Sequence, residues 1–98
     1  MPGIPLAIAV DHPAFAGHFP GFPVVPGAVL LDEAMLVIHA ATGLACNRIA
    51  WVKFLHPVRP GDALLVHHEI DAGGGIRFEI MSGADKVVSG SLLPGAAA

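Results

Sequence analysis

The sequence has no tyrosine, one cysteine, and only 13% charged residues in 98 positions. Each scarcity excludes something. Cys46 alone can close no intrachain disulfide, which suits a reducing compartment, the cytoplasm. Five Lys and Arg stand against eight Asp and Glu, for a net charge of −3, and no basic run occurs. Nucleic acid is therefore not an expected partner. The longest stretch without Asp, Glu, Lys or Arg runs from His12 to Leu31. Pro13, Pro20, Pro23 and Pro26 break it as a helix, so no membrane span is expected. The opening MPGIPLAIAV lacks a basic segment and does not read as a secretory signal. Low charge with 54% hydrophobic residues also excludes disorder.

What is present is an apolar excess. Twelve glycines bring the non-polar share to about two-thirds, where roughly half is usual. The length suits one domain over residues 1–98, with a modest core. The surplus is expected in a subunit interface or around an apolar ligand.

Hydrophobic periodicity orders the chain. A strand is expected over residues 4–10, on a sheet edge that tolerates Pro5. A long loop follows to Pro26, punctuated by proline and glycine but carrying Phe15, Phe19, Phe22, Val24 and Val25, so it should pack over something. Residues 27–42 predict a helix with Gly43 in the C′ position. It is apolar almost all round, interrupted by Asp32, Glu33 and His39, and so is expected to be buried. Strands are expected over 47–56, 62–71, 75–82 and 86–93, with turns at Arg59–Asp62 and at Gly73-Gly74-Gly75. The fold class is α+β: one antiparallel sheet wrapped around one helix, completed by a second copy.

The informative segment is His18 to Asp32, HFPGFPVVPGAVLLD. It sets an imidazole in the loop and a carboxylate in the helix that Pro26-Gly27 opens. The first helical N–H groups have no intrahelical acceptor and carry the positive end of the dipole, so they can hold a carbonyl oxygen as negative charge develops. Histidine titrates near neutrality, as a base should, and a buried carboxyl can stay protonated as an acid. Proton transfer beside a carbonyl is the chemistry this set suggests. The bland alternatives are a surface histidine and a satisfied structural Asp.

GHFPGFPVVPGAVLLDEAM resembles the signature of the hot-dog-fold 3-hydroxyacyl-(acyl-carrier-protein) dehydratases. A histidine in GHFPG-x-P, a following PG, and an acidic residue at the spacing of Asp32 from His18 carry the likeness. A second block agrees: Lys53-Phe54-Leu55-His56-Pro57-Val58-Arg59-Pro60-Gly61-Asp62 is similar to the family's KF-x-x-PV-x-PGD. Together they cover about residues 4–93.

The resemblance implies a hot-dog homodimer or a higher oligomer, with each site at the dimer interface. His18 of one chain would remove the C2 proton of a 3-hydroxyacyl thioester. Asp32 of the other would protonate the departing C3 hydroxyl. The Gly27 N–H would polarise the thioester carbonyl, and Ala28, Phe19, Phe22 and Val24 would line the substrate. No metal or redox cofactor is implied, since the phosphopantetheine arm belongs to an acyl carrier protein. One branch of the family has Glu where this chain has Asp32. Asp occurs in a branch that also isomerises the enoyl product and in one serving aryl polyene pathways. The DHPAFAGHFPG context and short length look closest to the last. The shorter Asp would favour a bridging water. Phe22, at a place often polar in relatives, would narrow or dry the entrance, and Glu33 would point elsewhere.

Two other functions share the pattern: an acyl thioesterase, and a non-catalytic dehydratase-like partner subunit. The remaining histidines suggest no metal site. His67 and His68 should point to opposite faces, and His12 and His18 lack further ligands nearby. His39 is expected to make a core hydrogen bond. Trp51 is expected in the core rather than along an acyl tunnel, and Cys46 is expected as a small buried residue. Arg48, Lys53, Arg59 and Arg77 would face either an acidic carrier or solvent.

Overall fold

A computed structural model describes residues 3–6, 8 and 25–94. The elements are β1 (Ile4–Leu6), α1 (Gly27–Thr42), β2 (Arg48–Phe54), β3 (Leu64–Ile70), β4 (Ile76–Ser82) and β5 (Asp85–Leu93). The five strands form one antiparallel sheet in the order β1-β3-β4-β5-β2. Pro5 therefore lies in an edge strand, where its missing N–H costs no ladder bond on the open side.

Local chemistry sets the element ends. Pro26 precedes α1 with φ −58° and ψ 141°, and no side chain among the described residues caps the helix. Gly43 ends it in the left-handed conformation at φ 72°, its N–H donating to the His39 carbonyl. The β3–β4 turn is held by Asp71, whose Oδ1 accepts from the Gly73 and Gly75 N–H groups at 2.9 and 3.0 Å. Before β3, Pro60 and Gly61 at φ 88° make the type II pattern, closed by the Asp62 N–H on the Arg59 carbonyl at 3.1 Å.

Register sorts the inner face into rows that run across the sheet. Val66, Ile80, Val88 and Phe54 form one; His68, Phe78, Gly90 and Val52 the next; Ile70, Ile76, Leu92 and Ile49 the third. A bulge between Ile49 and Trp51 lets Ile49 and Val52, of opposite parity in sequence, share this face. Gly90 makes room for a neighbour: a Cβ there would stand 2.6 Å from the Phe78 ring. Leu30, Leu31, Ala34 and Ile38 of α1 join the buried sheet residues in one core.

Two expectations need correction. α1 is not buried on every side: in this chain Ala28, Asp32 and Leu36 are exposed, Leu36 at 63%. One sheet covers one side of the helix, and no described element covers the other. Trp51 is not in the core either. It is 43% exposed on β2, with the Lys53 ammonium 5.7 Å from its ring centroid.

Candidate functional site

The two sequence blocks, far apart along the chain, meet at the start of α1. The Val25 N–H donates to the Val58 carbonyl at 2.7 Å, tying the residue before Pro26 to the segment after β2. The Phe54 ring, at the end of β2 on the inner face, lies against Gly27: a Cβ there would stand 2.8 Å from the ring's Cε1 and Cζ. The PGD turn is anchored by the Gly61 N–H on the Ile8 carbonyl at 2.9 Å. The helix start is thus clamped by backbone on one side and by an aromatic ring on the other.

Among the described residues, no side chain caps α1 and none in its first turn is acidic, so no described side chain competes for its leading N–H groups. Ala28 and Asp32 follow one turn apart on the same stripe, and both are exposed. Asp32 is about 7–8 Å along the helix axis from Gly27. It lines an open groove of about 560 Å³ with Met35, Leu36, His39, Leu44 and Cys46. Helix-terminal N–H groups and a carboxylate therefore lie within about two turns of one helix. The burial expected for Asp32 is absent in the single chain, because this stripe is the uncovered one.

His39 closes the far end of the groove. It is exposed rather than in the core, but its hydrogen bond exists: Nδ1 lies 2.9 Å from the Leu44 carbonyl, so Nδ1 is the donor. Thr42 receives the Leu44 N–H on its hydroxyl and donates to the Ile38 carbonyl, which fixes the same corner. Cys46 is buried as expected; burial first, and Asp71 second, push its thiol pKa up. His67 and His68 face opposite sides, and the His68 Nδ1 is buried without a hydrogen-bond partner among the described residues. Among the described residues, no cluster of His, Cys, Asp or Glu could hold a metal ion.

Of the residues expected to act, Gly27, Ala28 and Asp32 are brought together. His18, Phe19, Phe22 and Val24 lie outside the described residues. Phe54 was visible in the KF block, but its place over Gly27 was not. The groove residues Leu36 and Leu44 carried no signal beyond hydrophobicity.

The family model of ApeI-like proteins, described as ApeI dehydratase, matches residues 3–91. The chain belongs to the ApeI-like dehydratase family. Its expected hot-dog fold is borne out by the match to a chain of the dehydratase heterocomplex ApeI:P of Xenorhabdus doucetiae. That likeness has a TM-score of 0.69 at 28% identity, over 91% of this chain and 81% of that one. The 3-hydroxyacyl-(acyl-carrier-protein) dehydratase FabZ of Chlamydia trachomatis serovar D is 32% identical over 100 residues, covering 87% of this chain and 65% of the relative. FabZ of Thermomicrobium roseum is 38% identical over 96 residues, covering 87% and 62%. The ApeI-like chain thus spans a little under two-thirds of these curated relatives. No described helix is long and apolar enough to cross a membrane.

Proposed function

We propose that this chain dehydrates a 3-hydroxyacyl thioester, presented by an acyl carrier protein, to the trans-2-enoyl thioester and water. The observation that carries the reading is the clamped helix start, with uncapped N–H groups and Asp32 about two turns or less away on an uncovered stripe. The Gly27 N–H donates to the thioester carbonyl and stabilises the charge that grows there as the C2 proton leaves. The His18 imidazole takes that proton. The C2 electron pair forms the double bond as the C3–O bond breaks, and Asp32, directly or through a water, gives a proton to the departing hydroxyl. No metal or redox group takes part in these steps.

The working unit is a single domain in a homodimer, in the cytoplasm, with His18 of one protomer serving Asp32 of its partner. The uncovered Asp32 stripe supports this, because a carboxylate used as an acid needs a drier setting than the single chain provides. The neighbour's heterocomplex supports a second reading, in which a related but different chain takes the partner's place.

Purified protein incubated with 3-hydroxyacyl carriers of graded chain length should yield products lighter by one water, and His18→Ala should abolish this. Release of free thiol instead would mean thioester hydrolysis. Mixing His18→Ala with Asp32→Ala chains should restore one intact site per mixed dimer; no recovery would overturn the shared site. An inactive wild type that gains activity with a co-expressed relative would establish the heteromeric reading.

A further inference from the structure

We propose that Phe54 is a positioning residue for this reaction: its ring braces the first residue of α1 and aims the Gly27 N–H at the substrate carbonyl. The inference rests on the dehydratase reading and adds to it a residue that touches neither the C2 proton nor the C3 oxygen.

Backbone conformation does not require glycine at position 27. Positive φ, the usual reason, applies to Gly43, Gly61, Gly74 and Gly83, and not to Gly27, which sits in ordinary helix. Alanine is the better helix former, by about 1 kcal/mol in a helix interior. A side chain here would have to displace the Phe54 ring. A Cβ on Gly27 would meet the Phe54 ring edge at 2.8 Å from Cε1 and Cζ and 3.1 Å from Cδ1, too close for real Cβ atoms without a shift. The absent Cβ lets an aromatic ring rest on the peptide whose N–H is to hold the oxyanion.

The backbone that carries the ring is anchored. Phe54 pairs with Val88 in the β2–β5 ladder, and just beyond it the Leu55 N–H donates to the Val87 carbonyl at 2.8 Å. Val87 and Val88 are both buried, so the ring is carried by the solid part of the sheet. On the other side of Pro26, the Val25–Val58 hydrogen bond prevents the peptide from swinging away from the ring. Pro26 allows little rotation between these two anchors. An uncapped helix end would otherwise fray, and a donor that wanders by about 1 Å can lose roughly a hundredfold in rate. Phe54 remains 51% exposed, so the ring also presents an apolar surface beside the donor, where an acyl thioester can lie.

The test is a double-mutant cycle on the dimeric enzyme, read as kcat and KM separately. Phe54→Leu and Phe54→Ala should lower kcat by about 10-fold and up to 100-fold respectively, with KM changed far less. Gly27→Ala should lower kcat at least as much. The double variant Gly27→Ala with Phe54→Ala should be more active than Gly27→Ala alone, because the new methyl occupies the space the ring vacates. The Gly27 amide proton should carry a ring-current shift in the NMR spectrum that Phe54→Leu removes without unfolding the protein. Phe54 variants with wild-type kcat, or effects that simply multiply in the double variant, would overturn the proposal. A wild type that turns over no 3-hydroxyacyl thioester would sink the dehydratase reading instead, and the Gly27 amide shift would still report whether the ring sits on the peptide.

Discussion

The centre of the sheet and its β2 margin carry similar side chains and treat them oppositely. β4 buries Ile76, Phe78 and Ile80; β2 holds Ile49, Trp51 and Phe54 and leaves all three exposed. The rows running across the sheet explain how. Each passes through a buried residue of β4 and ends on β2, at Ile49, Val52 or Phe54, where the described structure stops. The outward stripe of α1 repeats the contrast with its buried one. Hydrophobicity alone does not say where an apolar residue goes; its distance from the edge of the layer does. In this ApeI-like chain the apolar surplus is divided between a core and a margin that suits another chain or a substrate.

The largest effect is expected at the centre of the sheet. Phe78→Ala should cost about 3–5 kcal/mol in chemical denaturation, enough to unfold much of a domain this small, since it empties the middle of the buried row. A loss below about 1 kcal/mol would mean the centre is not packed as described. Gly90→Ala should follow at about 1–3 kcal/mol, because the added methyl meets the Phe78 ring and the Trp51 carbonyl. Combining it with Phe78→Leu should recover part of that cost; strictly additive losses would deny the contact.

At the margin the expected sign of the contrast reverses. Ile49→Lys should change the stability of a lone chain by less than about 0.5 kcal/mol. Sedimentation should nevertheless show the proposed dimer shifted towards monomer, with activity lost in proportion. A variant that remains fully dimeric would place the junction elsewhere. The mildest effect concerns Cys46. Its raised thiol pKa leaves less thiolate at neutral pH, so an aromatic disulfide reagent should react more slowly with native than with unfolded protein. Equal rates would remove the case for its burial.

Much of this was legible in the chain. Residues 27–42 form a helix because good formers run unbroken between Pro26 and a glycine able to take positive φ. The last four strands fall within two residues of the expected limits, as alternation and turn residues are local signals. The first strand, expected over 4–10, is described as a strand only at Ile4–Leu6. The site was legible as two motifs and their spacing, but not as one place.

What the sequence determined by itself is the set of elements, their ends, the family, and the residue types that a proton-transfer site needs. Only the tertiary structure decided that the strand after α1 lies beyond the last strand of the chain, so that β2 becomes a margin. Only it set Phe54 on Gly27, moved Trp51 out of the core, and left the Asp32 stripe uncovered. The physical reason is range. Helix propensity, turn geometry and alternation act between neighbours in the chain, whereas strand order, and with it which apolar face meets another, is settled by pairing between distant segments.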